Sequence, residues 1–157
     1  MKTIVLGLGN PILSDDGIGL QVSAAFPRNC LKSDITIEET CVSGLGLLEL
    51  LSGYDKAILI DAIQTGDNEA GHVHRLSLDS FYTGRHTNAT HGISFANSVK
   101  LGRILGMRLP KEIIVFAIEA RDVNTFGETC SAEVQEAIPE CVSQILLEIG
   151  NCVPDNP

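Results

Sequence analysis

The apolar residues of this chain fall into short runs divided by stretches rich in glycine and polar side chains. Residues 3–8, with Ile4, Val5, Leu6 and Leu8, form an aliphatic run of the kind a buried strand needs. Residues 57–60 (Ala57-Ile58-Leu59-Ile60) are apolar without interruption, as expected of a central strand covered on both faces, and Asp61 closes the run. Residues 112–118 predict a further strand of that type. Two other segments alternate instead. Residues 34–40 read as a half-buried second strand, and residues 72–78 as a strand at a sheet edge.

Helical patterns lie between these strands. Residues 18–26 are small or apolar and should end near Pro27. Residues 44–51 carry five leucines and stop at Gly53, the residue that most easily terminates a helix. A third pattern opens at Thr90-His91-Gly92 and runs through Phe95, Val99, Leu101 and Leu105. Ser131 is placed to cap a last helix reaching Ile149, with Glu133 in its first turn and Pro139 positioned to kink or split it. Residues 79–90 and 121–130 read as irregular loops. Strands alternating with helices predict an α/β fold, a three-layer sandwich around a largely parallel sheet. No repeat, low-complexity run or linker divides the chain, so residues 1–157 are expected to form one domain.

Charge and cysteine usage narrow the function classes. The formal net charge is −9 and the isoelectric point is near 4.8. No Lys/Arg cluster is available to displace counterions from phosphates, which argues against a nucleic-acid partner. No apolar run approaches the ~18 residues of a membrane helix, and no secretory signal is evident at Met1-Lys2, so a cytoplasmic location is expected. Five cysteines without a C-x-x-C pair fit reduced thiols. Cys130, Cys141 and Cys152 recur every eleven positions, which on one helix would set neighbours about 16 Å apart, too far to share an ion.

The loop after the first strand, Gly9-Asn10-Pro11-Ile12-Leu13-Ser14-Asp15-Asp16-Gly17, holds two adjacent carboxylates. Glycines 7 and 9 invite a dinucleotide reading, but Ile12 stands where the third glycine of G-x-G-x-x-G belongs. Phosphate-loop, H-E-x-x-H and G-x-S-x-G signatures are also absent. What topology can bring together is Asp16 after the first strand, Asp61 at the end of the central strand and His91 before a helix. Such an O,O,N set suits a divalent transition ion and leaves coordination positions open. Each residue also has a plainer reading: Asp61 as a turn cap, His91 as a helix start. Asp15 competes with Asp16, or instead bonds the loop backbone. His72 and His74, alternate residues of a strand, are a rival metal pair or a solvent-facing stripe.

Gly7-Leu8-Gly9-Asn10 followed by Asp15-Asp16-Gly17-Ile18-Gly19 resembles the opening G-x-G-N-x-x-x-x-D-[DE]-x-x-G of the hydrogenase maturation endopeptidases. Ile60-Asp61-Ala62 is similar to that family's strand-end D-A, and Thr90-His91-Gly92 falls where the family places its metal-binding histidine. The resemblance spans nearly the whole chain. It implies a twisted sheet of about five strands between helices. It further implies an endopeptidase that removes the C-terminal extension of a nickel–iron hydrogenase large-subunit precursor once nickel is inserted. Asp16, Asp61 and His91 would then contact nickel supplied by the precursor and serve as the metal-binding and catalytic residues. Gly9, Asn10, Asp15 and Gly44 would belong to the substrate cleft. The family's Gly-Gly-Thr-type turn is replaced here by Cys41-Val42-Ser43-Gly44-Leu45-Gly46, which leaves the identity of the substrate open. No serine or cysteine stands beside an evident base, so a covalent route is not expected. A metal-dependent hydrolase of other peptides or amides, and a non-catalytic assembly factor, are the alternatives. The default oligomeric state is a monomer.

Overall fold

The computed structural model describes residues 1–83 and 92–150. Five strands form one sheet in the order β2-β1-β3-β5-β4. They are β1 (Thr3–Leu8), β2 (Ile35–Thr40), β3 (Lys56–Ile63), β4 (Val73–Ser77) and β5 (Glu112–Glu119). β1 pairs in parallel with β2 and β3, β3 pairs in parallel with β5, and only the edge strand β4 is antiparallel. The α-helices among the described residues are α1 (Ile18–Ala24), α2 (Leu45–Leu51), α3 (Leu78–Thr83), α4 (Gly92–Ile104), α5 (Ala132–Glu136) and α6 (Ile138–Glu148).

The period of two along each strand sorts side chains into two cores. One joins Val5, Ile58, Ile60, Phe116 and Ile118 to Ile18 and Val22 of α1 and to Cys141, Ile145 and Leu146 of α6. The other joins Ile4, Leu6, Leu59, Val115 and Ala117 to Leu47, Leu48 and Leu51 of α2, Phe81 of α3, and Phe95 and Val99 of α4. The expected three-layer α/β sandwich is therefore the one observed, with a mostly parallel sheet of five strands. None of the described helices is long and apolar enough to cross a membrane.

Several boundaries differ from the pattern reading, each for a physical reason. β3 does not end at Asp61 but continues to Ile63, and all eight of its residues are buried. Residues 79–83, expected to be irregular, form α3 together with Leu78, expected to end the preceding strand, because Leu78 and Phe81 one turn apart find apolar neighbours in the second core. Ser14–Gly17 form a single 3-10 turn rather than open loop. Pro139 splits the last helix, as its position allowed: α5 ends at Glu136, and α6 starts with the proline in its first turn, where its missing N–H costs nothing.

The chain leaves β1 toward β2 on one side and, after α2, returns to β3 on the other. β1 and β3 are thus neighbours at the point where strand order reverses, the position at which open α/β sheets bind ligands. Close packing brings α1 there. A side-chain carbon on Gly19 would overlap the carbonyl oxygens of Leu8 and Ile60, so only glycine lets the helix sit on both central strands.

Candidate active site

The first loop is built by its backbone. Gly9 adopts φ 151°, and a Cβ there would collide with the carbonyl oxygen of Asp16. The chain can double back only because the residue is glycine. The Asn10 N–H donates to the Asp16 carbonyl at 3.2 Å, and the Asp16 N–H donates to the Leu13 carbonyl at 3.0 Å. The Asn10 side chain closes the turn by accepting from the Ile12 N–H at 3.2 Å. Both backbone groups of Asp16 are therefore held within the loop, which fixes where its carboxylate stands. Gly44 takes φ 62° at the N-terminal cap of α2, after β2 on the same rim of the sheet.

Asp61 lies in β3 beside the end of β1, whose Gly7 pairs with Ile60. It is only 4% exposed. One carboxyl oxygen accepts from the Ala62 N–H at 2.8 Å. Burial pushes its pKa up from 3.8 to about 8, the Ala62 N–H opposes that, and the negative charge of Asp16 raises it further. Asp16 itself is 9% exposed. The structure thus brings two of the three expected residues into electrostatic contact at the switch point. His91 lies outside the described residues. α4, which begins at the next residue, packs on the face of β3 that carries Leu59 and, by alternation, Asp61.

Asp15 does different work from its neighbour. Its side chain is fully buried. Its carboxylate accepts from the N–H groups of Arg121 (2.8 Å), Asp122 (3.0 Å) and Ser131 (2.6 Å), and from the Ser131 hydroxyl (3.0 Å). Asp15 therefore fastens the loop after β5 to the loop after β1, and Ser131 spends its hydroxyl on that carboxylate while standing at the start of α5. A parallel bridge between Leu13 and Gly127 adds to the fastening.

His72 and His74 meet edge to face, with ring centroids 4.6 Å apart. His74 Nε2 lies 3.1 Å from Glu119 Oε2. Glu119 also accepts from the Thr65 N–H (2.8 Å) and hydroxyl (2.8 Å) and from the Gly66 N–H (3.1 Å). Burial raises the Glu119 pKa, but these hydrogen bonds outweigh it and hold the carboxyl below its ordinary value. His74 thus joins Thr65 and Gly66 in holding Glu119 at the turn after β3. Among the described residues, no three His, Cys, Asp or Glu side chains are arranged to hold a metal. Pattern reading passed over Glu119, although a carboxylate closing the apolar run at 112–118 is the same signal that singled out Asp61.

The family model described as hydrogenase maturation protease, HycI, matches residues 20–148. This chain belongs to the hydrogenase maturation protease family. The match takes in Asp61 and begins just after Asp16. The hydrogenase expression/formation protein HupD of Bradyrhizobium diazoefficiens is 27% identical over 155 residues, 95% of this chain and 80% of that protein. A stretch of 72 residues is 32% identical to the hydrogenase 2 maturation protease of Escherichia coli, covering 45% of this chain and 44% of that one. The solved structure of the hydrogenase maturating endopeptidase HybD from E. coli superposes with a TM-score of 0.81 at 23% identity, over 96% of this chain and 95% of that one. The [NiFe] hydrogenase maturation protease HybD from Thermococcus kodakarensis gives 0.68 at 22% identity, over 95% and 99%. At these identities the structural likeness concerns the fold.

Proposed function

We propose that this family member is a cytoplasmic endopeptidase that removes the C-terminal extension of a nickel–iron hydrogenase large-subunit precursor. On this reading Asp16, Asp61 and His91 bind the nickel that the precursor carries. The observation that supports it most is the Asp16–Asp61 pair at the switch point, in a chain of the hydrogenase maturation protease family.

The donor chemistry fits a cation brought by the substrate. With its pKa at about 8, Asp61 keeps its proton at neutral pH while Asp16 is nearby and no cation is present. Nickel held by Asp16, Asp61 and His91 would favour the ionised form of Asp61, which would give up its proton on binding. A nickel-free precursor provides no such compensation and docks poorly, so the acids act as a checkpoint on metal insertion. Bound nickel supplies Lewis-acid polarisation near the scissile peptide. The chain's own part is to fix two oxygen donors on rigid backbone, to keep the site dry around Asp61, and to hold or give up one proton there.

The test is the intact mass of a nickel-loaded precursor and a nickel-free precursor after incubation with wild-type protein or Asp16→Asn. Loss of a C-terminal peptide only with wild type and only with nickel is expected. Equal cleavage of the nickel-free precursor would overturn the checkpoint, and no cleavage of either would overturn the peptidase assignment for that precursor.

A further inference from the structure

Phe126 is 80% exposed, whereas the other phenylalanines are buried, and Ile12 is 48% exposed. Each stands one position before the Leu13–Gly127 bridge, so the two are neighbours on paired segments. The backbone around Phe126 is held on both sides. The Asp122 carboxylate accepts from the N–H groups of Asn124 (2.9 Å) and Thr125 (3.0 Å), and the Ser14 hydroxyl donates to the Thr125 carbonyl at 2.7 Å. On the other side, the Gly127 N–H donates to Ile12 at 3.0 Å, and the Gly127 carbonyl accepts from Ser14 at 2.9 Å. Ser14 takes φ 49°, a left-handed conformation that costs a non-glycine residue energy. The fold thus keeps an apolar pair in water on a loop with one strained residue, and gains no core contact from it. A large exposed apolar side chain on a rigid, pre-organised support is the signature of a binding anchor, because little conformational freedom is lost when it docks.

We propose that Phe126 and Ile12 form the anchor that docks the folded body of the protein substrate beside Asp16. This rests on the peptidase reading given above and extends it to a surface. Two observations select that occupant. Ile12 lies on the same loop as Asp16, four residues before it, and Asp15 fastens that loop to the one bearing Phe126, so the anchor is set at a constant position relative to the acid. The flanking residues Asp122 and Glu128 are acidic in a chain of net charge −9. The substrate should therefore offer an apolar pocket bordered by Lys or Arg. Val42 and Leu45, exposed after β2, extend the same rim.

The experiment measures binding and cleavage separately. Nickel-loaded full-length precursor is titrated onto immobilised wild type, Phe126→Ser, Ile12→Ser and Phe126→Leu, and cleavage is followed by intact mass. Phe126→Ser is expected to weaken binding and raise KM at least tenfold with kcat within twofold, Ile12→Ser less so, and Phe126→Leu should recover most of the loss. Both residues are exposed, so urea midpoints should match wild type. Unchanged binding by Phe126→Ser with normal wild-type cleavage overturns the anchor and leaves the peptidase reading intact. Phe126-dependent binding without any wild-type cleavage keeps the anchor and overturns the peptidase reading. Absence of wild-type binding overturns both. A wild-type dimer that Phe126→Ser converts to a monomer in sedimentation assigns the patch to self-association and overturns the anchor.

Discussion

Replacing Asp61 by asparagine should make the protein more stable near neutral pH while ending its processing activity. An unfolded chain ionises Asp61 around its ordinary value of 3.8, whereas in the native protein burial first, and the Asp16 charge in addition, move ionisation to about 8. Between those limits the native state holds a proton that the unfolded state has released. The unfolded state binds fewer protons, so stability falls as pH rises through this window. The steepest slope from one group is about 1.4 kcal/mol per pH unit, so wild type should lose roughly 2–3 kcal/mol from Asp61 alone between pH 5 and pH 7. Asparagine retains an oxygen for the Ala62 N–H and has no charge to bury. Urea unfolding of both proteins at pH 5, 6 and 7, followed by circular dichroism, gives the difference directly. The advantage of Asp61→Asn should grow steadily over that range at constant m-value. Parallel pH profiles would refute the reasoning, since they would mean that Asp61 ionises alike in the native and unfolded states. A variant that gains stability and loses activity would mark Asp61 as a residue kept at the expense of the fold.

Asp15→Ala leaves three backbone N–H groups and a hydroxyl without their buried acceptor. It should cost about 3 kcal/mol in urea unfolding and expose the 121–131 loop to limited proteolysis. Glu119→Gln should cost on the order of 1–2 kcal/mol at neutral pH by weakening its contacts to Thr65, Gly66 and His74. Because the native Glu119 carboxyl ionises below its ordinary range, its contribution is present above that range and lost as pH falls through the native value, so the difference between the two proteins should shrink in acid. Brief alkylation of native protein at pH 8, read by peptide mass mapping, should label Cys41, which is exposed. It should spare Cys130 and Cys141, whose thiols burial pushes up to about 11 and about 12.

The strands were legible because each is an aliphatic run whose period matches the faces it buries. Asp61 stood out in the sequence, but not as the interior of a strand. A carboxylate reads as the end of an apolar run, yet β3 continues through Ala62 and Ile63, which pair with Ile118 and Glu119 of β5. α3 was hidden because Asp79 and Ser80 interrupt it, and its apolar residues Leu78 and Phe81 gain meaning from a core built by distant segments. The division of labour between Asp15 and Asp16 could not be read from spacing. It depends on donors more than a hundred residues away. Phe126 looked like ordinary loop sequence, and its interest comes from the hydrogen bonds that hold its neighbours.

Those long-range bonds also bear on the order in which the molecule comes into being. The partners of the Asp15 carboxylate lie 106 to 116 positions downstream. At a synthesis rate of roughly 5–20 residues per second, they leave the ribosome on the order of ten seconds after Asp15 does. Until then the loop that carries Asp16 has no lid of backbone to close against, and the β1–β2–β3 half of the sheet can pair without it. The fastening of that loop is therefore among the last contacts to form, and a nascent chain cannot tie the loop after β1 to residues 121–131 before β5 and the start of α5 have been made.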